Sequence, residues 1–68
     1  MNLEIGKTYK TRNGCSVIIE HDKGDPSYPF FGKVSINGGE FDRIAYFTQS
    51  GNYSRMKESG YDIIQEQG

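Results

Sequence analysis

The stretch KTYKTRNGCSVII, residues 7–19, sets two alternating segments around Thr11-Arg12-Asn13-Gly14. Side chains on a strand point alternately to opposite faces, so Cys15, Val17 and Ile19 fall on one face and Ser16, Ile18 and Glu20 on the other. An Asn-Gly pair tolerates the positive φ angles of a type I′ turn, which makes Asn13-Gly14 the predicted centre of a tight hairpin. The same turn carries Arg12 at its tip, where it is a candidate contact for a partner.

Outward from this hairpin the pattern stays that of short strands and turns. His21 to Pro29 contains Gly24, Asp25-Pro26 and Pro29 and is predicted to be a loop, because proline withdraws a backbone donor from any sheet. Phe30 to Ile36 resumes the alternation, with Phe30, Val34 and Ile36 on one face together with Gly32, a residue that marks a bulge or a close backbone approach. Asn37-Gly38-Gly39 reads as a second tight turn. Glu40 to Thr48 reads as the longest strand, with Phe41, Ala45 and Phe47 against Ile44 and Tyr46; apolar groups on both faces imply a central or strongly curved strand. After a third turn over Gln49 to Asn52, Tyr53 to Met56 is predicted to return as a short strand, Met56 to Gly60 has room for one helical turn, and Tyr61 to Gln65 closes against the first strand. Thr48-Gln49-Ser50-Gly51 echoes Thr11-Arg12-Asn13-Gly14, as two hairpin tips of shared chemistry would.

The expected fold is therefore all-β: one domain over residues 1–68, a small, antiparallel, partly open SH3-like barrel of five to six short strands. A chain of 68 residues has a thin core, since it buries only about 60% of the surface its unfolded form exposes. Eight basic and nine acidic residues give a net charge of −1 with no block of like charge, which disfavours a non-specific grip on duplex DNA or an anionic membrane. Cys15, the single cysteine, excludes an intrachain disulfide, and no apolar run resembles a signal peptide or a spanning helix, so the expectation is a soluble cytoplasmic protein. The sequon Asn52-Tyr53-Ser54 is read as accidental in that setting.

No catalytic or metal motif stands out. Gly6-Lys7-Thr8 resembles the end of a phosphate-binding loop, but the position that needs the upstream glycine is Met1. His21 with Glu20, Asp22 and Asp25 lacks the ligand count and spacing of a zinc or calcium site. Cys15 has no base beside it, because the sole histidine lies at the far end of the same strand, roughly 20 Å away at about 3.3 Å per residue. The chain is read as non-enzymatic and without a cofactor.

The remaining chemical signal is arginine near aromatic rings: Arg12, Arg43 and Arg55 accompany Tyr9, Tyr46 and Tyr53. A guanidinium forks onto phosphate and a tyrosine ring stacks on a base, so Arg12, Arg43, Tyr46, Tyr53 and Arg55 are the candidate ligand residues for a nucleotide or a single-stranded nucleic acid. Adjacent Phe30 and Phe31 cannot enter one core, so an exposed Phe31 beside Tyr28 is the candidate contact for a partner protein or a second subunit.

The segments GKTYKTRNG, CSVII, PFFGKV, AYFTQSGNY and YDII together resemble a recurring type of small phage and prophage accessory protein. Thr11, Arg12, Gly14, Pro29, Gly32, Gly51, Tyr53, Asp62, Ile63 and Ile64 carry the resemblance, whereas Cys15 stands where a charged or polar residue is more usual. The resemblance implies a protein that acts in a bacterial host cell against a defence or regulatory pathway. The leading expectation is a homo-oligomer that sequesters a nucleotide signal. The alternatives are a module that binds and inhibits a host protein, and a single-strand-binding barrel.

Overall fold

The computed structural model describes residues 3–36 and 38–67. Five strands, β1 (Thr8–Thr11), β2 (Ser16–His21), β3 (Phe30–Ser35), β4 (Phe41–Phe47) and β5 (Ile63–Glu66), form one sheet in the order β4-β3-β2-β1-β5. Every neighbouring pair is antiparallel. The sheet is not closed, and its small, curled form is that of a partly open barrel with five of the five to six strands expected.

The β1–β2 hairpin turns one residue earlier than a type I′ turn would. Gly14 N–H donates to the Thr11 carbonyl at 3.1 Å, so Arg12 and Asn13 are the central residues and Gly14 follows them at φ +89°. The cause is the Thr11 hydroxyl. It accepts the Cys15 N–H at 2.9 Å while the Thr11 N–H donates to the Cys15 carbonyl at 2.9 Å, a pairing that closes the hairpin around three loop residues with glycine in the left-handed position. Thr48 repeats the arrangement: its hydroxyl accepts the Asn52 N–H at 3.0 Å, its N–H donates to the Asn52 carbonyl at 2.9 Å, and Gly51 N–H returns to the Thr48 carbonyl at 2.9 Å with φ +92°. The internal echo is thus one hydrogen-bonding device used twice. Only the first copy joins two strands. The second leads into an irregular segment, so neither the strand expected at Tyr53–Met56 nor the helical turn expected at Met56–Gly60 forms.

The core lies on one side of the sheet. Cys15, Val17 and Ile19 are buried as the alternation requires, joined by Tyr9, Val34, Phe47 and Ile63 and flanked by Phe30 and Ile36. Gly32 sits where its absent side chain matters, since a Cβ there would meet Val17 Cγ1 at 2.9 Å and the Ile18 carbonyl at 3.2 Å. β5 pairs with β1 as expected, Thr11 opposite Ile63.

β4 departs from expectation. It is an edge strand, not a central one, and Phe41 does not enter the core with Ala45 and Phe47. A register irregularity between Val34 and Ser35 intervenes at the start of β4, beyond which Phe41 pairs with Ser35 and stays 40% exposed. The expected turn at Asn37 lies outside the described residues, although Gly38 has φ +74° and Gly39 N–H reaches the Ile36 carbonyl at 3.1 Å. No helix of the described residues is long and apolar enough to cross a membrane.

The two threonine turns give a paired stability prediction. Gly14→Ala meets nothing within 4 Å and is expected to cost only the left-handed backbone conformation, about 1–2 kcal/mol. Gly51→Ala adds a contact with Ile63 Cβ at 3.3 Å and is expected to cost about 1–3 kcal/mol more. Urea denaturation of the two variants measures the difference; equal losses would show that the second turn is not packed as described.

Candidate functional site

Asp62 fixes where the loop residues of interest lie. Its carboxylate, only 3% exposed as a residue, accepts the N–H groups of Tyr53 at 2.8 Å and Ser59 at 2.9 Å. Arg12 Nη2 stands 3.6 Å from the same carboxylate, and the Arg12 N–H donates to the Asp62 carbonyl at 2.9 Å. Asn13 N–H reaches the Gly60 carbonyl at 2.9 Å. The first hairpin tip is therefore fastened to the segment that closes the far end of the fold, and Arg12 braces that junction. Burial pushes the Asp62 carboxyl up, but the N–H groups of Ser59 and Tyr53, followed by Arg12, pull harder, and the net pKa lies below its ordinary 3.8.

The five candidate ligand residues do not meet in one place. Arg12 and Arg55 border a depression of about 270 Å³ together with Lys57, but Glu58 and Asp62 share it. Arg55 is also engaged, its Nη1 donating to Ser27 Oγ at 3.0 Å and its N–H to the Tyr28 hydroxyl at 3.0 Å. Arg43 lies elsewhere, beside Tyr53 and Tyr61 in a depression of about 160 Å³ over Val34 and Ala45. Tyr46 is on the opposite face of the sheet, a consequence of strand alternation after Ala45.

That opposite face holds the clearest convergence of apolar side chains. Phe31 stacks on His21, with ring centroids 4.7 Å apart and planes 5° from parallel, and meets Tyr46 edge-on at 5.3 Å. Tyr28 and Tyr46 line a cavity of about 570 Å³ under Gly24 and Pro26, and Ile44, next on the same face of β4, is 64% exposed. Where the sequence predicts an exposed Phe31 beside Tyr28, both are half-buried, and Tyr46 and Ile44 are the more exposed members of this face. His21 and Ile44 were missed, although the presence of apolar residues on both faces of β4 was the signal that could have found Ile44.

Among the described residues no group of three or more His, Cys, Asp or Glu side chains is placed to hold a metal ion. Cys15 is buried in the core, its N–H held by Thr11.

Comparison with known proteins places no relative beside this geometry. No family model, curated protein or solved structure matches the chain.

The Asp62 junction has a definite pH signature. A depressed folded-state pKa means that the carboxylate stabilises the fold above the unfolded value and that this contribution is lost as pH falls through the folded value. Asp62→Asn turns an acceptor into a donor facing a backbone N–H and is expected to cost about 1–3 kcal/mol at neutral pH. The gap from wild type is expected to narrow in acid well below 3.8, once the wild-type carboxyl is protonated. Urea midpoints for both proteins across that range test it; a gap independent of pH would contradict the ionised junction.

Proposed function

We propose that this chain is a non-enzymatic binding module of the phage accessory type, which docks on a protein of the bacterial host through the outer face of its sheet. The observation that carries the reading is the patch formed by Tyr28, Phe31 and Tyr46 with Ile44 beside it, a continuous aromatic and aliphatic surface on the side away from the core. Aromatic side chains at the centre of such a patch bury large area at little entropic cost, and a rim of charge, here Lys23, Asp25 and the Lys33–Glu20 pair at 3.5 Å, adds selectivity. Interference with a defence or regulatory pathway is the consequence that the phage resemblance suggests for such docking.

Sequestration of a nucleotide is a second reading, supported by a pairing of a predicted phosphate residue with a predicted stacking residue, Arg43 beside Tyr53. A depression of about 160 Å³ is smaller than the roughly 300–1,000 Å³ of ordinary ligand sites, so this reading requires more than one copy of the chain.

Affinity capture from lysate of defence-activated bacterial cells separates the two. Docking predicts that one stoichiometric host protein is retained by the wild type and lost with Phe31→Ala while the circular dichroism spectrum is unchanged. Retention by Phe31→Ala would remove the docking reading. A nucleotide mass that co-purifies with the wild type and with Phe31→Ala, but not with Arg43→Ala, would put the second reading first.

A further inference from the structure

We propose that the free edge of β4 pairs with β4 of a second copy of this chain, antiparallel and across a two-fold axis at Ile44, joining two five-stranded sheets into one. The proposal goes beyond the docking reading, because it concerns the backbone edge of the sheet and not its outer face.

The backbone of this edge is unpaired, although Tyr28 and the Tyr53–Arg55 segment, joined through the Arg55 N–H and the Tyr28 hydroxyl, flank it near Tyr46. β4 is the longest strand, at seven residues, and is paired with β3 along its length. Among the described residues no backbone hydrogen bond ties Phe41–Phe47 to any segment but β3. An edge strand turns alternate N–H and C=O groups outward, and soluble proteins blunt such edges with lysine, proline or short length. β4 has no lysine or proline and is not short; of the usual devices it carries an inward-facing charge, Arg43, and the register irregularity near Phe41. The opposite edge is managed: β5 is four residues long, carries Gln65 and Glu66, and has its Ile63 N–H taken by the Gly51 carbonyl at 2.9 Å. A groove of about 500 Å³ lies beside Ile44–Tyr46, bounded by Tyr28 and by Tyr53–Ser54, and a further strand along β4 would enter it.

The order of residues in β4 selects a second copy as the occupant. With the axis at Ile44, Phe41 faces Phe47 of the second copy, Asp42 faces Tyr46, Arg43 faces Ala45 and Ile44 faces itself, so the whole strand pairs and no charge meets its like. Moving the axis to Arg43 or Asp42 sets like charges directly opposite, and moving it to Ala45 leaves Phe41 beyond the end of the facing strand. Only one full-length register is therefore self-complementary, and it covers Ile44, 64% exposed in the single chain. On the core side the same register brings the two Arg43 side chains diagonally across the axis, each beside Tyr53 of its own copy. The two small depressions then adjoin, which is the arrangement that a nucleotide site built from Arg43 and Tyr53 needs.

Sedimentation of the full chain from micromolar to millimolar concentration tests the pairing. The wild type is expected to reach the mass of a dimer, whereas Ile44→Asp and Ile44→Lys alone are each expected to remain monomeric because like charges meet at the axis. An equimolar mixture of the two variants is expected to recover the dimer. A monomeric wild type throughout overturns the proposal and leaves the edge to an extended segment of another protein; dimers of both single variants, or no recovery on mixing, overturn it equally. Should either variant fail to fold, amide exchange of β4 in the wild type decides: protection of Phe41–Phe47 must rise with protein concentration. Loss of host-protein capture by Phe31→Ala is read separately, so the two readings fail independently.

Discussion

The fold depends on the buried carboxylate of Asp62. A single small sheet buries side chains on one face only, and the end of the core near Phe47 and Ile63 needs a cover that no strand supplies. The segment after Gly51 provides it without regular hydrogen bonding, so its N–H groups need other acceptors. The Asp62 carboxylate accepts two of them, from Tyr53 and Ser59, while its backbone carbonyl accepts the N–H of Arg12 from the first hairpin. A charged acceptor makes stronger bonds than a neutral one, and here it holds Tyr53 against Phe47, at 6.3 Å between ring centroids, and against Tyr61 at 5.5 Å. Without that carboxylate the Tyr53 N–H would lose its acceptor, and with it the bond that holds Tyr53 over the core.

The two threonine turns show how one local device gives different results in different settings. In each, a buried threonine hydroxyl takes the N–H four residues on and a glycine absorbs the left-handed backbone. After Gly14 the chain runs back along β1 as β2, because Cys15, Val17 and Ile19 have a core face to fill. Beyond Gly51 no comparable apolar alternation follows, and the chain is held by Asp62 instead. Gly51 itself lies against Ile63, so the second turn is a packing element as well as a reversal.

What was legible in the sequence was local. The alternation of β2, the proline-bound loop before β3, the close approach at Gly32 and the pairing of the tail with β1 follow from side-chain period, backbone restriction and residue size, which act over a few neighbours. What was not legible depends on register and strand order. The edge position of β4, the exclusion of Phe41 by the irregularity opposite Val34 and Ser35, and the separation of Arg43 from Arg12 and Arg55 are set by which strand lies beside which. Arg12 illustrates the limit most clearly: its residue type suits phosphate, yet it is spent on a carboxylate fifty positions away in the chain.

Edge and outer face together follow from the small size of the protein. With one face of the sheet given to the core, Ile44 and Tyr46 have no second layer to enter and stay exposed, Phe31 is half-buried between His21 and Tyr46, and isolated exposed residues of this kind would be ordinary. These three are contiguous on two paired strands, with Phe31 opposite Tyr46 in the register, and Ile44 borders an unpaired edge. A patch of that composition next to open backbone donors and acceptors has two complementary demands, apolar cover for the face and strand pairing for the edge. On the proposed pairing a second copy would meet the edge demand through the self-complementary order of β4, and it would leave Phe31, one strand inward, free for a different partner. On the two proposals together, division of labour between edge and face would let a chain with so thin a core both stabilise itself and present a binding surface.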